Sequence, residues 1–105
     1  MDEKIRMKVL KALRRIPHGK VTTYKHLAEI VGTSPRAVGK ILSTNDEPDY
    51  YPCYKVIRSD GRVGGYTINN RNNRETESEK IRRLRKDGIN VKDGLVQSDF
   101  IVKMK

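Results

Sequence analysis

Thr23-Tyr24-Lys25-His26-Leu27-Ala28-Glu29-Ile30-Val31-Gly32-Thr33-Ser34-Pro35-Arg36-Ala37-Val38-Gly39-Lys40-Ile41-Leu42 sets the architecture of this 105-residue chain. Thr22 or Thr23 offers a helix N-cap, Leu27, Ile30 and Val31 recur on one apolar side, and Gly32 ends the run. Ser34 then serves as a second N-cap and Pro35 takes the first helical position of a helix reaching about Leu42. Two short helices joined by a turn containing glycine have helix-turn-helix spacing, spanning about residues 23–42. In the second helix Arg36 and Lys40 lie four apart on one face, while Val38, Ile41 and Leu42 pack inward. Unrelated helical domains share this spacing, so reading DNA is one of two roles open to it.

Upstream, residues 3–16 read as an amphipathic helix. Ile5, Val9, Ala12, Leu13 and Ile16 form its apolar stripe, with lysines and arginines between them. Asp2 and Glu3 favour its start, and Pro17 with Gly19 stops it. Downstream, residues 43–49 form a polar loop and 51–57 an apolar segment whose tail is strand-like. Pro52 disfavours a regular central strand there. Ser59-Asp60-Gly61 reads as a turn, and residues 69–79 as an exposed loop or the start of a helix. A last basic helix over about 79–87 carries Lys80, Arg82, Arg83, Arg85 and Lys86, turns Ile81 and Leu84 inward and ends at Gly88. Lys92-Asp93-Gly94 between two apolar runs predicts a small hairpin. The expected fold is mainly α with small β elements, in one domain over residues 1–105.

Charge narrows the partner. The chain holds 23 Lys and Arg against 13 Asp and Glu, a formal net charge of +10. Such a surplus attracts polyanions, and nucleic acid is the leading class. No apolar run approaches membrane-spanning length, so a soluble, intracellular protein without membrane association is expected. A single cysteine, Cys53, supports neither an internal disulfide nor a metal cluster. It is buried filler or a reactive thiol.

An ordered set of motifs speaks to the second reading. Ile16-Pro17-x-Gly19-x-Val21-x-Thr23-Tyr24-x-x-Leu27-Ala28, Arg36-Ala37-Val38-Gly39, Asn45, Pro52-Cys53-x-x-Val56 and Gly64-x-Tyr66 resemble the C-terminal domain of O6-alkylguanine-DNA alkyltransferases. Their non-enzymatic relatives are the alkyltransferase-like proteins. The resemblance runs from about residue 9 to about residue 96. It implies a winged-helix-like helix-turn-helix DNA-binding domain of the alkyltransferase C-terminal type. It also implies a monomer that binds double-stranded DNA carrying O6-alkylguanine, flips the lesion into a pocket and moves the alkyl group onto Cys53. Neither a cofactor nor a metal is implied.

By position, Arg36 resembles the arginine that replaces the extruded base in the stack, and Tyr24 the residue that crowds the phosphate. Thr23, Lys40 and Lys55 complete the implied DNA contacts. Asn45 resembles the asparagine that organises the cysteine loop. Pro52, Val56, Gly65, Tyr66 and Thr67 would border the lesion pocket, with the main-chain carbonyls of Cys53 and Val56 facing the guanine amine. Residues 63–79 would hold the mobile loop.

The fit departs from the family around the thiol. Where the alkyltransferases have a histidine after the cysteine, this chain has Tyr54. A phenol with reference pKa ~10, against ~6.5 for imidazole, is a poor base near neutrality. Asp87 stands at the position of the glutamate that holds that histidine, and Lys55 replaces an arginine. Lys55 is then the candidate cation to favour the thiolate. His18 and His26 are not placed by the resemblance to relay a proton to Cys53. Ile68-Asn69 replaces a tight glycine pair, and the turn between the helices is about two residues short. Three functions follow as expectations: irreversible alkyl acceptance on Cys53, with Tyr54, Asn45 and Asp87 around it; lesion binding without transfer that flags damage for other repair proteins; or, ranked third, non-specific DNA binding by a basic domain with a degenerate pocket. The expected location is the cytoplasm or nucleoid, or the nucleus of a eukaryote.

Overall fold

The computed structural model describes residues 3–47, 49–65 and 73–103. In chain order the elements are α1 (Glu3–Leu13), β1 (Thr22–Thr23), α2 (Tyr24–Val31), α3 (Pro35–Ser43), β2 (Val56–Ile57), α4 (Arg74–Lys86), β3 (Val91–Lys92) and β4 (Leu95–Val96). Short 3-10 turns cover Cys53–Lys55 and Ser98–Phe100. The fold is mainly helical with small sheets.

The caps follow from the residue types. The Thr23 hydroxyl accepts from His26 N at 3.1 Å, and the Ser34 hydroxyl accepts from Ala37 N at 3.1 Å. Each satisfies an amide that the helix start leaves without a partner. Gly32 closes α2 in the left-handed region. The last helix begins at Arg74, several residues before the expected 79. Asn73 and Thr76 form a reciprocal capping box there, which periodicity of apolar residues does not reveal. The segment expected as a loop over 63–79 therefore yields its last six residues to α4, and residues 66–72 lie outside the described set.

β1 and β2 pair in parallel, with Thr22 opposite Val56 and Thr23 opposite Ile57. Both strands therefore run out at the same end, one into Tyr24 and the other into Arg58. β3 and β4 form the expected hairpin through Asp93-Gly94. Both turn residues have positive φ, 54° and 74°, as a tight two-residue hairpin requires.

Two apolar clusters fill the interior. The first joins α1, α2 and α3 through Val9, Leu13, Leu27, Val38 and Ile41, and takes in Cys53 and Val56. The second gathers Val21, Ile57, Val63, Leu84, Ile89, Val91 and Val96. Tyr54 packs against both. Cys53 and Val56 on one side and Ile57 on the other place the cysteine turn at the seam between them.

Candidate nucleic-acid interface and thiol site

Cys53 opens the 3-10 turn at the N-terminal edge of β2 and is 5% exposed. It is a free thiol packed in the first apolar cluster. Asn45 braces the approach to the turn: its Nδ2 donates to Tyr51 O at 2.8 Å and its Oδ1 accepts from Glu47 N at 3.0 Å. A side chain that bonds both ends of the 45–51 loop holds Pro52 and Cys53 in register with the helices above.

A buried cation, on the basic last helix that the sequence predicts, is Lys80. Lys80 is 1% exposed. Its Nζ donates to Val56 O at 2.8 Å and Gly65 O at 3.2 Å, and sits 5.8 Å from the centre of the Tyr24 ring. Burial pulls its pKa down to about 8, against opposing pulls from Cys53 and Glu77. The Tyr24 phenol is pushed up by burial and by Cys53. Cys53 thus lies within electrostatic reach of both Tyr24 and Lys80. The signal for Lys80 was present in the sequence. Thr76, Lys80 and Leu84 recur at four-residue spacing, and all three are buried.

Lys55 is elsewhere. Expected on DNA and as the cation beside the thiol, it is 5% exposed and turned inward. Its Nζ meets Pro17 O at 2.8 Å, Ile16 O at 3.4 Å and Asp87 Oδ2 at 3.2 Å. A buried ammonium needs such partners, and meeting them takes Lys55 off the surface that DNA can reach. Asp87 is the hub of this arrangement. It also pairs with His18 Nδ1 at 2.5 Å and accepts from Gly19 N at 3.2 Å. The histidine that meets the acid comes from the turn before β1, not from the position after the cysteine.

Tyr54 is half-buried. Burial and the Asp87 carboxylate raise its pKa, partly offset by Arg83. The phenol therefore stays protonated near neutrality and is a donor there, not a base. With Pro52, His18, Asp87, Arg82, Arg83 and others it lines a cavity of ≈ 440 Å3. Cys53 lines none of the three described cavities.

The helix-turn-helix face is separate. Tyr24, Lys25, Pro35, Arg36, Gly39, Arg58 and Ser59 border a cavity of ≈ 420 Å3. Arg36 and Lys40 are exposed on α3. Thr23, expected among the DNA contacts, is 3% exposed, and its hydroxyl is committed to capping α2. Val56 O and Cys53 O, expected to face a guanine amine, already accept from Lys80 Nζ and Val56 N respectively. A carbonyl has two lone pairs, so each retains one. Gly65 supplies its carbonyl to Lys80 and lines a third cavity. Tyr66 and Thr67 lie outside the described residues.

Residues 4–89 match the family model of the 6-O-methylguanine DNA methyltransferase DNA-binding domain. The chain belongs to this family. Within the methyltransferase family it is 47% identical over 88 residues to a bifunctional methyltransferase/endonuclease of Thermoplasma volcanium, covering 82% of the chain and 26% of that protein. It is 54% identical over 52 residues to a methylated-DNA--protein-cysteine methyltransferase of Pyrobaculum aerophilum, covering 50% and 35%. The chain thus spans about a quarter to a third of these curated relatives. Among solved structures, S. pombe Atl1 in complex with damaged DNA containing O6-carboxymethylguanine superposes with TM-score 0.84 over 99% of both chains. At 24% identity that likeness establishes the fold. The O6-methylguanine-DNA methyltransferase of Pyrococcus kodakaraensis KOD1 superposes with TM-score 0.69 at 34% identity, over 80% of this chain and 46% of that one. The fold is that of a DNA-repair alkyltransferase domain.

Proposed function

We propose that this protein recognises O6-alkylguanine in duplex DNA and accepts the alkyl group on Cys53, with Lys80 as the proton acceptor in place of the family's histidine. The observation that carries this reading is the buried Lys80, held by Val56 O and Gly65 O near Tyr24 and within electrostatic reach of Cys53. A lysine whose pKa is about 8 is partly neutral at pH 7 to 8. Its neutral amine keeps two N–H groups for Val56 O and Gly65 O and one lone pair for the thiol proton. The thiolate then attacks the alkyl carbon. The S–C bond forms as the C–O6 bond breaks, the electron pair leaves on the guanine, and Lys80 or water returns the proton. The sulfur is consumed, so each molecule acts once.

DNA approaches through the α3 face. Arg36 enters the stack in place of the extruded base, Lys40 contacts the backbone, and Tyr24 stands between the helix-turn-helix and Lys80. Asp87 holds the Lys55 and His18 ends of the frame and does not relay a proton. Likeness to a bifunctional methyltransferase/endonuclease supports cooperation with a nuclease as a companion repair factor.

The test is intact mass after incubation with duplex containing O6-methylguanine. One methylene unit should be gained, and peptide mapping should place it on Cys53. A second reading, lesion binding without transfer, is favoured by one observation: Tyr54 occupies the histidine position and its phenol is no base. Unchanged mass together with preferential binding of the alkylated duplex establishes that reading and removes the first. In both readings Arg36→Ala is expected to weaken binding to alkylated duplex by about tenfold or more, measured by fluorescence anisotropy, because an arginine stacked in the duplex loses its whole contact.

A further inference from the structure

The sequence reading assigned three cations to DNA, and the structure leaves two of them on the surface, Arg36 and Lys40. A third lies close by. Arg58 directly follows β2, and the parallel register that sets Thr23 against Ile57 brings Arg58 alongside Tyr24. Arg58 borders the same ≈ 420 Å3 cavity as Tyr24, Lys25 and Arg36, and also a second cavity lined by Gly64, Glu77 and Asp93. Among the described residues no carboxylate lines the ≈ 420 Å3 cavity.

The guanidinium is available for a ligand. Its side chain is 55% exposed, and its ion pair among the described residues, with Asp60, spans 3.6 Å, beyond good hydrogen-bond length. Asp60 is shared: it lies 3.8 Å from Arg62 Nε and accepts from Arg62 N at 3.0 Å. A structural role for the side chain is poorly supported by the turn it belongs to. The 58–62 turn closes through main-chain bonds, Arg58 N to Arg62 O at 2.9 Å and Gly61 N to Arg58 O at 3.0 Å. These survive loss of the side chain. The direction of the stem, in contrast, is constrained. A Cβ on Gly64 would lie 3.1 Å from Arg58 Cγ, so the absence of a side chain at Gly64 lets the Arg58 stem lie flat along that backbone.

We propose that Arg58 contacts a backbone phosphate of the bound DNA, anchoring the strand beside Tyr24 while Arg36 acts at the base stack. The proposal rests on the reading of this face as the DNA interface. It adds a contact that carries affinity without lesion specificity, since a phosphate is the same beside a normal or an alkylated base. The planar fork of arginine suits a phosphate oxygen pair. A cation from the end of β2, supplied outside the helix-turn-helix, would also fix the distance between the DNA backbone and the thiol turn a few residues upstream on the same segment.

The experiment measures affinity for plain and O6-methylguanine duplexes of the same sequence at about 50 and 200 mM salt, by anisotropy, for the wild type, Arg58→Ala, Arg58→Lys and Arg62→Ala. Loss of one phosphate contact lowers the salt slope by about 0.9, which is roughly a threefold smaller change in Kd across that range. Arg58→Ala is expected to show this reduced slope with both duplexes, to bind about tenfold more weakly at the lower salt and to keep the wild-type lesion preference. Arg58→Lys should recover the slope, and Arg62→Ala should behave as wild type. An unchanged slope in Arg58→Ala overturns the proposal, as does an equal loss in Arg62→Ala, which would mark a general charge effect. Failure of the underlying reading looks different: the wild type would then bind plain and alkylated duplexes equally. Thermal unfolding of each variant accompanies the titrations, and a slope change in a protein with wild-type Tm supports the contact.

Discussion

Lys80→Met is expected to slow alkyl transfer to Cys53 by about a hundredfold or more, the range in which a positioned general base contributes. Methionine fills nearly the same buried volume, so the variant should fold and still bind alkylated duplex. Single-turnover transfer by the wild type should rise through an inflection near pH 8, where Lys80 loses its proton, and the variant should lack that inflection. Lys80→Arg separates base from charge. Arginine keeps the positive charge and has no lone pair to offer, so transfer should stay slow. A Lys80→Met rate within about threefold of wild type would remove Lys80 from the chemistry.

Stability offers an independent check on the same residue. The folded-state pKa of Lys80, about 8, lies below its ordinary value of 10.5. Between those values the unfolded chain binds more protons than the folded one, so stability rises with pH. Compared with Lys80→Met, the wild type should gain about 3 kcal/mol between pH 7 and 11. Taking the difference between two proteins cancels the tyrosines, whose raised values act in the opposite direction above pH 10. A constant difference across this range would show that Lys80 is not held charged against burial.

The second large effect concerns Asp87. Asp87→Ala removes the carboxylate that meets Lys55 Nζ, His18 Nδ1 and Gly19 N, leaving a buried ammonium with carbonyl partners only. Breaking one side of a buried pair costs about 3–5 kcal/mol. For a chain of this size, a 3–5 kcal/mol loss lowers Tm by about 15–25 °C. The double variant Lys55→Met, Asp87→Ala should recover part of the loss, because no unpaired charge remains inside. A Tm for Asp87→Ala within about 3 °C of wild type would show that Lys55 finds water instead.

The helices were legible because caps and apolar spacing agree. Thr23, Ser34, Pro35 and Gly32 bracket α2 and α3 as their chemistry dictates. The hairpin was legible in Asp93-Gly94. The start of α4 was hidden because its first turn, Arg74 to Glu77, is polar apart from one buried threonine. β1 was hidden because a two-residue parallel strand exists only through pairing with a segment more than thirty positions away. The site divides in the same way. Cys53, Arg36 and Tyr24 stood out by local motif. Lys55 and Lys80 did not separate, since both read as surface cations. What distinguishes them is tertiary: Lys55 is met by Asp87 and the carbonyls of residues 16 and 17, Lys80 by Val56 O and Gly65 O near the Tyr24 ring.

The depth of Cys53 has a consequence beyond geometry. Under the proposed transfer each sulfur is spent in one reaction, and the useful molecules are those that reach damage unspent. At 5% exposure, packed into the first apolar cluster, Cys53 presents little surface to peroxides or small electrophiles in bulk solvent. Burial therefore acts as a storage condition. Reaction of the free protein with a bulky maleimide should be slow and should quicken on unfolding.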